Sequence, residues 1–299
     1  MFLNLNTVAL GISGHQSELI ELALTHDFKG MEFDLLSFAK QVDLTGYDHT
    51  ARFIESAGLV LGSFDLPVNW QGDDAVFHEE LERLPALAEV AARLGATGCR
   101  TVVMPASDDR PYHENFEFHR QRFTKIAEVL VPHSISLGLD FVATAGHREG
   151  LLHQFIHSPD ALVTLAKTVG MDNVGVSVDL WQWQVAGANW DLFRELSAHE
   201  IVSVRVADVP PDVSNELISD EQRLLATEGG VIDMGLVISQ LEIVEYSGPV
   251  TPFPHPSQLK NMTRNATIRA ASKTLELKVV PTEEEAGGEL IAATEEGGV

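Results

Sequence analysis

Eight short apolar runs alternate along this chain with longer segments of helical period, and each run ends at a loop rich in Pro, Gly, Asp or His. Successive parallel strands need a crossover of a dozen residues or more, usually a helix, so this rhythm restricts the fold to parallel β/α architectures. The runs predict strands at Val8–Ile12, Gly30–Phe33, Leu59–Phe64, Gly98–Met104, Ser136–Val142, Val174–Asp179, Ile201–Val206 and Pro249–Pro252. Helices are expected at Ser17–Thr25, Phe77–Leu94, Phe116–Val131, Pro159–Thr168, Trp190–Ser197 and Leu236–Val244. In the second helix Leu81, Leu84, Leu87, Val90 and Leu94 recur three or four residues apart, as on an outer helix packed against a sheet. Eight is the strand number of the (β/α)8 TIM barrel, an α/β fold that commonly needs about 250 residues. A doubly wound open sheet is the alternative, but no Gly-x-Gly-x-x-Gly follows the first strand, which removes its commonest use.

Length and charge narrow the partners. The 299 residues are 44% hydrophobic, enough for one large core, and residues 1–278 are expected to form a single domain closed by Leu259 to Lys278. Residues 279–299 carry six Glu and no base, a composition read as a disordered tail because it buries too little apolar surface to order itself. The net charge of -24 repels phosphate backbones and anionic headgroups, so neither nucleic acid nor a membrane is expected as a partner. A lone cysteine, Cys99, excludes an internal disulfide and a multi-cysteine zinc site. No basic segment precedes an apolar core at the start, and no run approaches the ~18 apolar residues of a membrane span. The expectation is a soluble cytoplasmic protein that takes a small molecule, a description compatible with a homo-oligomer.

The run VGVSVD ends on an isolated carboxylate, Asp179, followed by LWQWQ. Barrel enzymes build their sites from strand ends and the loops after them, so Asp179 is the first candidate residue. This segment resembles a strand of the xylose-isomerase-like TIM barrels, a family of sugar isomerases and epimerases, where the text is closer to Asp-x-Trp-His-Trp. Further landmarks occur in that family's order: GLVLGSFDLPVNW at 58–70, RLGATGCRTVVMPASDDRPYHENFEFHRQRF at 93–123, SLGLDFV at 136–142, VRVADVP at 204–210, RLLATEGGVID at 223–233 and SGPVTPFP at 247–254. The resemblance covers most of residues 7–275.

Family members hold one divalent metal with a Glu, an Asp, a His and a second Glu at the ends of different strands. The resemblance places Asp140 at the first Glu, Asp179 at the Asp, Arg205 at the His and Phe253 at the second Glu. A guanidinium does not ligate a metal and a phenyl ring has no donor. A fixed +1 charge about 4 Å from a +2 ion costs on the order of 8 kcal/mol at an effective dielectric near 20. The sequence therefore implies no metal cofactor, with Arg205 neutralising Asp140 and Asp179 in its place or surviving only as a salt bridge. A repurposed metal site through His255, His147, His153 or His157 is the competing expectation.

Ligand contacts are expected from Glu32, Asp65, Trp70, Trp181, Gln182 (at the family His), Asp208, Arg223 and His255, against the plainer roles of aromatic packing and loop ion pairs. The Trp rings offer flat faces to a sugar, and Arg223 offers a cation, unless it only pairs with Asp208 or Glu221. Three functions stay open: a metal-free sugar isomerase or epimerase with Asp140 or Asp179 as base and Arg205 as electrophile, an inactive ligand-binding relative, and a regulatory partner of an active homologue.

Overall fold

A computed structural model describes residues 1–277 except Ala188 and Glu216, so the tail expected at 279–299 lies outside the described residues. The strands are β1 (Phe2–Leu5), β2 (Gly30–Met31), β3 (Val60–Leu61), β4 (Phe64–Asp65), β5 (Gly98–Val103), β6 (Ala106–Ser107), β7 (Ser136–Phe141), β8 (His153–Gln154), β9 (Val174–Asp179), β10 (Ile201–Val206) and β11 (Pro249–Pro252). The helices are α1 (Gln16–Thr25), α2 (Leu35–Thr45), α3 (Tyr47–Ser56), α4 (Asp74–Arg93), α5 (Tyr112–Leu130), α6 (Pro159–Val169), α7 (Leu180–Val185), α8 (Trp190–Glu195), α9 (Met234–Ile243) and α10 (Arg264–Ser272).

Nine strands pair side by side in the order β3-β2-β1-β11-β10-β9-β7-β5-β4, every pair parallel. The two ends of this series, β3 and β4, are one chain segment broken only by Gly62 and Ser63, so the sheet is a nearly closed barrel of eight βα units. β6 and β8 form a small antiparallel pair of their own. Asp34, Asp73, Asp179, Asn189, Asp233 and Thr263 each accept backbone N–H groups at a helix start, which fixes where α2, α4, α7, α8, α9 and α10 leave their loops.

One expectation about an element is corrected. The first strand is Phe2–Leu5, whose residues pair with Pro249, Val250, Gly30 and Met31, and not Val8–Ile12. That later stretch turns instead, with Asn6 Oδ1 accepting the Ala9 N–H and Gly11 at φ +62°, and Val8 stands exposed. The stripe expected on α4 does face the core: Leu84 and, just after the helix, Leu94 are buried, Leu81, Leu87 and Val90 pack against the core partly buried, and Phe77, Ala88 and Ala91 join the buried face.

Inside the barrel, side chains alternate along each strand, and the lowest positions are small. A Cβ on Gly98 would lie 2.5 Å from Val202 Cγ1, and one on Gly138 would lie 2.9 Å from Val202 Cβ. Above them Ser203 Oγ donates to Ser177 Oγ at 2.8 Å. Two residues further along the same strands come Arg100, Asp140, Asp179 and Arg205, at the C-terminal mouth.

Candidate active site

The strand ends build a layer of alternating charge. On β5, Arg100 places Nη1 3.2 Å from Asp140 Oδ2 of β7 and Nη2 2.5 Å from Asp65 Oδ1 of β4. On β9, Asp179 receives Arg223 Nη1 at 2.6 Å on Oδ2, while its Oδ1 accepts the backbone N–H groups of Trp181 and Gln182 at 3.1 and 3.3 Å. Asp140 Oδ1 is taken by the Phe141 N–H at 2.8 Å. Both aspartates are thus fully engaged, and both are buried.

Arg205, on β10, stands apart from this pattern. Its guanidinium lies 3.8 Å above the Phe253 ring and its nearest carboxylate is Glu32, with Nη2 to Oε2 at 3.6 Å, beyond hydrogen-bond distance. The expected clamp on Asp140 and Asp179 is therefore corrected: those carboxylates have separate partners in Arg100 and Arg223. Glu32 itself is held by neutral donors, Asn4 Nδ2 at 2.9 Å, Asn6 Nδ2 at 2.6 Å, and the hydroxyls of Ser63 and Thr251 at 3.2 Å. The absence of a Cβ at Gly62 makes room for the Asn4 amide, whose Nδ2 would lie 2.9 Å from it.

Over this layer opens a cavity of about 800 Å³ whose floor is Arg100, Arg205, Arg223 and Phe253 and whose walls include Asn6, Glu32, Ser63, Asp65 and His255. Asp140 and Asp179 do not line it; the arginines cover them. Burial, and then the nearby Asp179 charge, push the Asp140 carboxyl up to about 6, against the pull of Arg100 and Arg205. Burial, reinforced by Arg100, pulls the Arg205 guanidinium down, while Glu32, Asp65 and Asp140 oppose it. For Arg100 burial acts in the same downward sense, but Asp65 and Asp140 outweigh it and the net direction is up.

Of the residues expected to touch a ligand, the structure brings Glu32, Asp65, Arg205, Arg223 and His255 to the cavity. Four are elsewhere. Trp70 packs edge-on against His119 and Phe123 and donates Nε1–H to Thr101 Oγ1 at 2.7 Å, away from the mouth. Trp181 is fully buried beneath Arg223, whose Cζ sits 4.4 Å from the ring centre. Gln182 uses Oε1 to accept the Ala143 N–H at 2.8 Å. Asp208 accepts the N–H groups of Val209 and Ile232 at 2.8 and 3.1 Å, anchoring a loop, and burial raises its pKa. Arg223 pairs with neither Asp208 nor Glu221 but with Asp179. Arg100 went unnoticed in the sequence, although a lone charge within GCRTVV, two residues beyond a glycine, is the same signal that Arg205 gives within IVSVRV.

The groups at the positions that the resemblance assigns to metal ligands have other surroundings here. Guanidinium nitrogens occupy the space beside Asp140 and Asp179, Phe253 offers no ligand atom, and His255 directs Nδ1 to Ser257 Oγ at 2.7 Å. Among the described residues no three His, Cys, Asp or Glu side chains converge as a metal cluster.

The model of the xylose isomerase-like TIM barrel family matches residues 20–276. An inosose isomerase of Bacillus velezensis is 22% identical over 209 residues, which are 69% of this chain and 71% of that protein. One from Bacillus subtilis is 23% identical over 151 residues, 50% of this chain and 51% of the relative. Among solved structures, a xylose isomerase domain protein from Alicyclobacillus acidocaldarius superposes with a TM-score of 0.83 at 25% identity, covering 92% of this chain and 97% of the other. The IolI protein with a bound zinc atom gives 0.75 at 18% identity over 92% and 96%, and D-psicose 3-epimerase with D-tagatose from Clostridium cellulolyticum gives 0.67 at 13% over 92% and 97%. These last two speak for the fold alone.

Proposed function

We infer that this chain, which belongs to the xylose isomerase-like TIM barrel family, binds a small polyhydroxylated carbonyl compound at its barrel mouth and handles it without a divalent metal. The observation that carries this reading is the cavity floor, where three arginines stand at and around the positions that the family gives to metal ligands. In sugar isomerisation and epimerisation a proton leaves the carbon next to a carbonyl while charge builds on the carbonyl oxygen. Arg205 presents donors to that oxygen and plays the electrophile. The carboxylates able to take the proton are those on the cavity wall, Glu32 and Asp65, because Asp140 and Asp179 are sealed beneath Arg100 and Arg223. The proton passes from carbon to carboxylate and the carbonyl becomes an enolate held by the guanidinium; return of the proton to the other face of the same carbon gives the epimer, and its delivery to the former carbonyl carbon, with the adjacent hydroxyl proton moving to the former carbonyl oxygen, gives the isomer.

That same sealing of Asp140 and Asp179 favours a second reading, a relative that binds the ligand without turnover. Incubation with a panel of inososes and ketoses in D2O separates the two. Deuterium entering beside the carbonyl, and lost in Arg205→Met, establishes the enzyme; a saturable rise in melting temperature without exchange establishes the binding protein; neither outcome across the panel refutes the proposal. Mn, Mg, Co or Zn alone is expected to leave the melting temperature unchanged, since a ligand stabilises only through affinity for the folded state. A saturable rise at micromolar metal that disappears in Asp179→Ala overturns the metal-free part.

A further inference from the structure

Arg205 is the one arginine of the cavity floor whose guanidinium makes no hydrogen bond within 3.5 Å to any described residue, although only 7% of the residue is exposed. Arg100 and Arg223 are each anchored by a hydrogen-bonded ion pair on a buried aspartate. The Arg205 Cζ sits over the Phe253 ring, 3.8 Å from the centre, so the phenyl ring supports the guanidinium from one side. Its nitrogens open onto the cavity, and the acceptor that matches its two parallel N–H groups is a planar anion.

We propose that the ligand bears a carboxylate, which docks on Arg205 in a bidentate pair, so that the site selects a polyhydroxylated monoacid over the corresponding neutral sugar. This inference rests on the reading of the cavity as a polyol site. The hydroxyl-bearing part of the ligand lies toward Asn6, Ser63 and Glu32, where amide, hydroxyl and carboxylate groups meet a chain of hydroxyls. Arg100, Arg205 and Arg223 face Glu32, Asp65, Asp140 and Asp179, three cations against four carboxylates, so the mouth holds no surplus positive charge and each further negative charge on the ligand adds to the repulsion. A carboxylate adds one such charge, offset by its bidentate contact with Arg205, whereas a phosphate dianion adds two.

Titration calorimetry on the full chain at pH 7 tests this with matched probes: pentonates and hexonates, the parent aldoses, hexose 6-phosphates, and inorganic phosphate. At least one sugar acid is expected to bind about tenfold or more tightly than its aldose and than its phosphate, as one charge-assisted bidentate pair implies. Arg205→Met is expected to abolish that preference, and Arg205→Lys to retain part of it, keeping the charge while losing the fork. If the aldoses bind and the acids bind no better, the carboxylate assignment fails while the polyol site stands; if no probe binds, both fail. Tighter binding of the phosphates, or a preference for acids that survives in a folded Arg205→Met, also overturns the proposal.

Discussion

Arg205 and Arg223 lie side by side over the same phenyl ring, at 3.8 and 5.7 Å, yet they do different work. Arg223 neutralises a buried aspartate that has no other cation at hydrogen-bond distance among the described residues, so Arg223→Met is expected to destabilise by about 3–5 kcal/mol. Arg205 neutralises nothing that closely, so Arg205→Met is expected to cost no more than about 1 kcal/mol while removing the preference for an acidic ligand. Urea unfolding of the two variants checks the contrast; equal losses would show that Arg205 is structural. Asp140 supplies a pH signature. Its folded-state pKa of about 6 lies above the ordinary 3.8, so the folded protein binds the extra proton between these values and this group's contribution to stability falls as pH rises from about 4 to 6. The groups facing it are Arg100 from β5, Arg205 from β10 and Asp179 from β9. The difference in unfolding midpoint between the wild type and Asp140→Asn should therefore change across pH 4–6 and level off above 7. A flat difference across that range would contradict the shifted titration.

At the scale of elements, small residues decide how the strands carry the site. Gly175 sits where a Cβ would lie 2.9 Å from the Glu200 carbonyl carbon and closer still to its oxygen, backbone that cannot swing aside. Gly175→Ala is expected to destabilise by about 1–3 kcal/mol, as overpacking in an interior does, whereas alanine at Gly146, which has nothing within 4 Å, should be nearly neutral. Thermal unfolding distinguishes them, and equal midpoints would mean that β9 and β10 can shift apart. The break between β3 and β4 has a related cause. Gly62 yields its side-chain space to Asn4, and Asn4 in turn donates to Glu32 and Thr251, so the interrupted strand is tied to a cavity carboxylate. The hydrophobic run at 59–64 shows a strand but not this interruption, because the pressure comes from a residue of β1 more than fifty positions away.

For the molecule as a whole, the excess of 44 acidic over 20 basic residues dominates at long range. Raising ionic strength from about 10 to 200 mM shrinks the screening length from about 30 Å to below 10 Å, which relieves self-repulsion more than it weakens the short ion pairs of the mouth. The melting temperature is expected to rise over that interval in sodium chloride; a fall would show that surface pairs such as Arg120 with Glu117 outweigh the net charge. Among the described residues no helix is long and apolar enough to cross a membrane.

The alternation of apolar runs and helical segments was sufficient to place seven of the eight barrel strands near their positions, because a pattern of burial is local and periodic. The motifs likewise brought Glu32, Asp65, Arg205, Arg223 and His255 into consideration, since strand ends are the places where a barrel delivers side chains to one face. Pairing was not legible. Which arginine meets which aspartate depends on the lateral stagger of β5, β7, β9 and β10 and on a loop that returns Arg223 from far along the chain, distances that no spacing encodes. Burial of the tryptophans was equally a tertiary outcome, because an aromatic ring after a strand can face a ligand or a helix, and the packing of α5 against Trp70 and of Arg223 over Trp181 took both rings for the interior. The sequence alone determined the kinds of charge that gather at the mouth; the three-dimensional fold decided which of them are hydrogen-bonded to one another and that Arg205, among the arginines lining the cavity, has no carboxylate within hydrogen-bond distance, since only the closed barrel fixes their separations.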